Sequence, residues 1–309
     1  MRYFFTVFIL TFSLFAIEPI QPLPLSLDDV DMDKAELGYI LFSDPLLSRD
    51  ATVSCNSCHD LSSGGADKRD VSIGIGNQRG NIQSPTVLNA RYNFKQFWNG
   101  RVTTLKEQAD GPLHNPVEMA MDRYHVEKYL NSSDFYKEKF SKVYGKGKLT
   151  YDQTIESIVE FEKALVTPNC RFDQFLYKKI KLSDKEQKGY LLFKTFGCIT
   201  CHNGINVGGN SFQKYGLMKD VPHVMNTPDR YAFTKNERDK NIFKVPTLRN
   251  IEYTAPYFHD ASAKTLYEAV KKMGYLNLGV VLEEEEVEQL VAFLKSLSGE
   301  KPKILREAR

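Results

Sequence analysis

Cys55-Asn56-Ser57-Cys58-His59 returns 143 positions later as Cys198-Ile199-Thr200-Cys201-His202. Two thiols three positions apart can each add across one vinyl group of a single porphyrin. The histidine that follows is then held beneath the iron as its axial ligand. The two pentapeptides use four of the five cysteines. Two covalently bound c-type haems are therefore expected, one on Cys55, Cys58 and His59 and one on Cys198, Cys201 and His202. The competing readings of a repeated Cys-x-x-Cys are a zinc site and a dithiol redox pair. Zinc ribbons bring their cysteine pairs within roughly 12 to 20 residues of the second ligand pair. A thioredoxin-like pair needs one motif and no trailing histidine.

Outward from these motifs the chain repeats itself. GYILF at 38–42 precedes the first pentapeptide and GYLLF at 189–193 precedes the second. Downstream, Pro85-Thr86, Asn89, Tyr92, Phe97, Thr104-Leu105 and Glu107 recur at a constant offset of 161. Their counterparts are Pro246-Thr247, Asn250, Tyr253, Phe258, Thr265-Leu266 and Glu268. An ungapped offset of this length implies that both halves share one supersecondary plan, an entry helix, the haem site, a long loop and a closing helix. With few strand patterns, the chain is expected to be all-α, two cytochrome c-type domains related by internal duplication. The expected division is 1–17 as a signal peptide or N-terminal anchor, 18–166 as one domain and 167–309 as the other. Amphipathic spacing and cap residues predict helices over 33–42, 127–144, 151–166, 186–193 and 283–297. The loops 62–84 and 204–245 are long for a compact domain, which suggests haem-covering or calcium-tied segments.

A length of 309 residues accommodates two domains. The net charge of +2, from 41 basic and 39 acidic residues, argues against a nucleic-acid partner. Residues 3–17 are almost wholly apolar, follow Arg2 and are short for a membrane span. They read as a secretory signal cut after Ala16, with Leu14 a poor fit to the cleavage pattern, or as an uncleaved anchor. Export to the periplasm agrees with covalent haem attachment. Cys170 is left over and reads as a buried free thiol.

The sequence resembles the bacterial dihaem cytochrome c peroxidases, with the methylamine-utilisation dihaem enzymes as more distant relatives. The resemblance rests on CNSCH, SPTVLNA at 84–90, FWNGR at 97–101, EQADGPLHNPVEM at 107–119, CITCH, VPTLRN at 245–250, PYFHD at 256–260 and EAVKKMG at 268–274. It implies reduction of hydrogen peroxide to two waters, with electrons from a small periplasmic cytochrome c or a cupredoxin, by an enzyme that is commonly a homodimer. It implies that the haem of His59 is the peroxidatic one, with Glu118 as distal acid/base and Gln108 orienting peroxide. O–O cleavage needs a proton moved from one peroxide oxygen to the other, and a carboxylate can move it. The resemblance further places Trp98, the single tryptophan, between the haems, and makes Met273 the second iron ligand at the haem of His202. Met218, Met225 and His223 are weaker candidates for that ligand, and His259 is expected to support the haem environment. A thioether ligand raises the reduction potential, as an electron-receiving haem requires.

Two departures from the family pattern stand out. Many members carry a histidine sixteen residues after the first haem histidine, which caps the peroxidatic iron until the other haem is reduced. Here the segment reads Ser72-Ile73-Gly74-Ile75, and Ile75 cannot bind a metal. The first haem is then expected to be open without reductive activation, unless His114 or His125 reaches it. The family also binds calcium through backbone carbonyls near Thr254 and Pro256 and an asparagine side chain, whose place Gln83 takes on a longer arm. The rival readings are a dihaem electron carrier with both irons saturated, and an oxidase of protein substrates. Glu118 argues against the first. Met273, where the protein-oxidising relative has tyrosine, argues against the second.

Overall fold

The computed structural model describes residues 18–307. The expected signal or anchor over 1–17 lies outside the described residues. Among the described residues no helix is long and apolar enough to cross a membrane.

Each half is built on one close helix crossing. Met32–Phe42 packs along Tyr151–Ala164, and Asp184–Thr195 packs along Glu284–Lys295. The repeated glycine explains both. A Cβ on Gly38 would stand 2.0 Å from Ser157 O and 2.7 Å from Phe161 Cβ. A Cβ on Gly189 would stand 1.9 Å from Gln289 O and 3.0 Å from Phe293 Cβ. Backbone meets backbone at both crossings, so any side chain there would push the helices apart.

Features downstream of the pentapeptides keep the 161-residue spacing. Asn89 and Asn250 are left-handed, with φ of 60° and 59°, as are Phe97 and Phe258, with φ of 65° and 72°. The isolated bridge Gln96–Val102 is matched by Tyr257–Ala263. Asn89 Nδ2 and Asn250 Nδ2 donate to the same acceptor, Thr167 Oγ1, at 2.8 and 2.7 Å. Thr167 thus ties the two halves together at their junction.

Helix ends follow local capping. Thr104 with Glu107, Thr150 with Gln153, Ser183 with Glu186 and Thr265 with Glu268 form reciprocal capping boxes. One expectation fails. The stretch 127–144 is two helices, Arg123–Ser132 and Asp134–Tyr144. Ser133 between them is extended, and its hydroxyl accepts from Tyr136 N, so a new helix starts there. The all-α expectation holds apart from two short antiparallel strands, Phe212–Lys214 and Ile242–Lys244, inside the second long loop.

Residues 35–165 supply one apolar core and residues 170–297 the other, with an exchange at the termini. Ile20 is buried in the second core and Ile304 in the first. The expected division assigns each of them to the opposite half. Backbone pairing holds the exchanged N-terminal segment, with Gly204 N donating to Pro19 O at 2.7 Å and Gln21 N to Gly204 O at 3.3 Å, and Leu23 N donates to the Asp173 carboxylate at 3.3 Å.

The same region contains a fully buried ion pair. Arg249 Nη1 and Nη2 donate to the two carboxylate oxygens of Asp173 at 3.1 and 3.0 Å. Its remaining donors reach Gln21 O at 2.8 Å and Ile205 O at 2.6 Å. Both side chains are 0% exposed. Arg249→Met would strand the Asp173 carboxylate in a low dielectric. Chemical denaturation is expected to show a loss of about 3–5 kcal/mol. A loss under about 1 kcal/mol would mean that water reaches Asp173.

Candidate functional site

Both pentapeptides open onto one cavity of about 740 Å³, whose wall includes Cys55, Cys58, His59, Cys198, Cys201 and His202. Cys55–Cys58 is a single helical turn begun by Ser54, and His59 N closes it on Cys55 O at 3.0 Å. Cys198–Thr200 is a tighter turn, and His202 N closes on Cys198 O at 3.0 Å. No disulfide joins any two of these four cysteines.

The two imidazoles test whether this cavity suits a haem. Nδ1 of His59 and Nδ1 of His202 are buried without a hydrogen bond of full geometry. The backbone of Gly65 and Pro85 at the first ring, and of Val207 and Pro246 at the second, lies near enough to oppose the effect of burial. Burial dominates, pushing His202 down to about 4 and His59 below the usual histidine range. Both rings are neutral at physiological pH, with Nδ1 turned toward the backbone and Nε2 left for a metal. Gly208 shapes the second ring's floor. At φ 127°, its Cβ would fall 2.2 Å from Pro246 O and 3.4 Å from His202 Nδ1, so only glycine leaves the ring its place. Ligand type, wall and thiols all fit two porphyrins.

Glu118 lies in the same wall as His59, with Gln108, Arg101 and Asn115. Asn115, which caps the helix Leu105–His114, donates from Nδ2 to Glu118 Oε1 at 2.6 Å. Burial raises the Glu118 pKa, opposed by the Asn115 hydrogen bond and the positive charge of Arg101. A carboxyl tuned this way can hold and release a proton. Sequence reasoning did not single out Asn115 or Arg101. A second carboxyl, Glu162, also lines the cavity and was missed; burial pushes it up to about 8, and its Oε2 has no partner. The apolar neighbours of Glu162 on a core helix were the available signal.

Trp98 is held from both halves. Its Nε1 donates to Gln83 O and its own carbonyl accepts from Lys244 N, each at 2.7 Å. Gln83 and Lys244 are themselves 161 positions apart. The indole meets Phe243 and His259 edge-on at 6.3 Å, and those two rings stack at 4.0 Å. Met273, the last residue of the helix Leu266–Met273, lines the cavity. Met218 and Met225 are 59% and 83% exposed and lie outside its wall. His223 lies outside it too, with Nε2 3.0 Å from Asp229 Oδ2 but off hydrogen-bond geometry. Gln83, Thr254 and Pro256 share the cavity wall, and Gln83 Nε2 donates to Asp67 O at 3.1 Å.

The two histidines that could have replaced the missing cap are held elsewhere. His114 Nδ1 is 2.8 Å from Met121 O, and its Nε2 is 3.1 Å from Tyr151 Oη. His125 Nδ1 is 2.7 Å from Asp122 Oδ2. Neither lines the cavity. Ile75 packs against the first core, and its N–H donates to Glu118 O at 2.9 Å.

Comparison with known proteins agrees with this geometry. Residues 32–181 match the family described as di-haem cytochrome c peroxidase, and residues 186–298 match cytochrome c. The chain is 49% identical to the cytochrome c551 peroxidase of Nitrosomonas europaea, over 92% of this chain and 85% of that one. It is 42% identical to the cytochrome c551 peroxidase of Pseudomonas aeruginosa, over 94% and 86%. The crystal structure of a MauG-like protein associated with microbial copper homeostasis superposes with a TM-score of 0.80 at 25% identity, covering 94% of this chain and 95% of that one.

Proposed function

The chain belongs to the di-haem cytochrome c peroxidase family and acts on hydrogen peroxide, and from that premise we propose how its two halves divide the work. Residues 18–166 form the peroxidatic domain and residues 167–309 the electron-receiving one, copies of one ancestral unit apart from the exchanged ends. The two haems, when bound, supply the two electrons that reduce one peroxide to two waters. Cys55, Cys58 and His59 hold one haem; Cys198, Cys201, His202 and Met273 hold the other. Glu118 accepts a proton from the nearer peroxide oxygen and delivers it to the farther one, which departs as water. Gln108 orients the peroxide, and Asn115 and Arg101 oppose the rise that burial gives the Glu118 pKa. Trp98, clamped at both its indole and its carbonyl, bridges the halves.

The donor is a small cytochrome c or cupredoxin of the periplasm, and the enzyme is a homodimer. Gln83, Thr254 and Pro256 are the candidate holders of a calcium ion. Their shared wall supports this, although the Gln83 amide is turned toward Asp67 O.

The observation that carries the reading is the company of Glu118. A half-buried, hydrogen-bonded carboxyl faces the cavity of His59, and no other histidine of the first half lines that cavity. No reductive activation is then needed. The test is electron paramagnetic resonance of the fully oxidised protein, followed by stopped-flow mixing with hydrogen peroxide. A high-spin signal and prompt reaction are expected. Two low-spin haems and no reaction would instead favour a carrier of electrons.

A further inference from the structure

Lys244 is a buried cation without an anion. It closes the strand Ile242–Lys244, opposite Phe212, and its N–H donates to Trp98 O at 2.7 Å. Its side chain is 6% exposed and lines the same cavity as Trp98, Pro246 and His202. Among the described residues no carboxylate lies within ion-pair distance of it. Arg249, equally deep, is paired to Asp173 on both of its outer nitrogens. An unpaired buried ammonium costs several kcal/mol, and burial alone lowers its pKa to about 8. A protein keeps such a group where a bound molecule supplies the missing charge.

The cavity's occupants bring that charge. Each haem ends in two propionate carboxylates, and Lys244 precedes Val245-Pro246, the segment packed beneath the His202 ring. At the equivalent place in the first half stands Gln83, which is neutral. At this pair of equivalent positions the second half carries a positive charge and the first does not. We propose that the ammonium of Lys244 is the counter-ion for a propionate of the haem on Cys198 and Cys201, and that it raises that haem's reduction potential. A fixed cation favours the reduced state, which carries one less positive charge. This makes the duplicated haems unequal in the direction that an electron-receiving haem requires. The proposal rests on the reading that both porphyrins share this cavity, which covalent haem content tests separately.

The experiment is spectroelectrochemical titration of the loaded Lys244→Met, Lys244→Gln and Lys244→Arg proteins, with both haems resolved. Lys244→Gln installs the residue the first half already uses, so it remains informative if Lys244→Met loads poorly. In the Met and Gln variants the ferrous-to-ferric ratio of the second haem, at fixed potential, is expected to fall about tenfold, or 59 mV for one electron. The first haem is expected to hold, and Lys244→Arg to stay near the parent. A fall of less than about threefold, an equal fall in Lys244→Arg, or a shift confined to the first haem would each overturn the proposal. Protein with two haems attached and no such shift would overturn this inference alone; protein unable to attach a second haem in the parent chain would overturn the reading beneath it.

Discussion

Glu118→Gln is expected to lower turnover with hydrogen peroxide by about 10²- to 10⁴-fold while leaving both haems attached and their resting spectra unchanged. The amide keeps the shape and the carbonyl oxygen that Asn115 Nδ2 bonds at 2.6 Å, so the wall stays in place. What is lost is the capacity to take a proton from one peroxide oxygen and give it to the other. Stopped-flow mixing isolates that step from electron delivery. A variant that still reacts within tenfold of the parent would mean that water or another group moves the proton.

With the proposed role, Glu118 is also the group expected to set the acid side of the pH profile. Glu118 must be ionised to accept the proton. Burial holds its pKa above the ordinary carboxylate value, so kcat/KM falls as pH drops through that raised value and is full above it. Asn115 and Arg101 pull in the opposite direction. Removing the Asn115 donor, as in Asn115→Leu, forfeits a hydrogen bond to a charged group worth about 1.5–3 kcal/mol. That moves the acid limb up by roughly one to two pH units. A limb that moves downward, or not at all, would break the link between that limb and Glu118.

The parts of this molecule that were legible in the sequence are those whose cause is local or repeated. The pentapeptides specify haem attachment within five residues. A cap such as Ser183, with Glu186 three positions on, marks a helix start within four. The offset of 161 exposed a shared plan that reappears as paired left-handed turns at Asn89 and Asn250. What escaped depends on distant partners. Ser133 interrupts an otherwise continuous amphipathic stretch because its hydroxyl competes for the next turn's amide. Ile20 and Ile304 look like parts of the nearer domain, and only the packed cores show where their surface is buried. Glu162 sits beside Glu160 and Lys163 on an amphipathic helix, where a charged residue is ordinarily solvated, and Lys244 hides inside an apolar run. His114 and His125 could be judged only after their hydrogen bonds to Met121, Tyr151 and Asp122 were seen.

On the proposed reading that the first haem needs no reductive activation, Ile75→His is expected to produce a gated enzyme. Gly74 is packed so tightly that a Cβ there would lie 1.9 Å from Val117 O, and the next amide donates to Glu118 O at 2.9 Å. Gly76 N is held by Asp50 Oδ2 at 2.8 Å. Residue 75 is therefore fastened to the backbone of Glu118 itself. Turning a histidine at this position toward the cavity that His59 lines would draw the loop away from Glu118. Capping the metal and displacing the acid/base group become one movement, and releasing the cap restores both. The fully oxidised variant should lose the high-spin signal. If the cap is occupied in 99 of 100 molecules, its reaction with peroxide slows about 100-fold. Reduction of the second haem alone should recover the rate if the two sites are coupled as in gated relatives. The parent chain should be indifferent to that reduction. A fully oxidised Ile75→His protein that reacts as fast as the parent would show that this loop cannot leave Glu118, and that the freedom of the first haem has another origin than the loss of one imidazole.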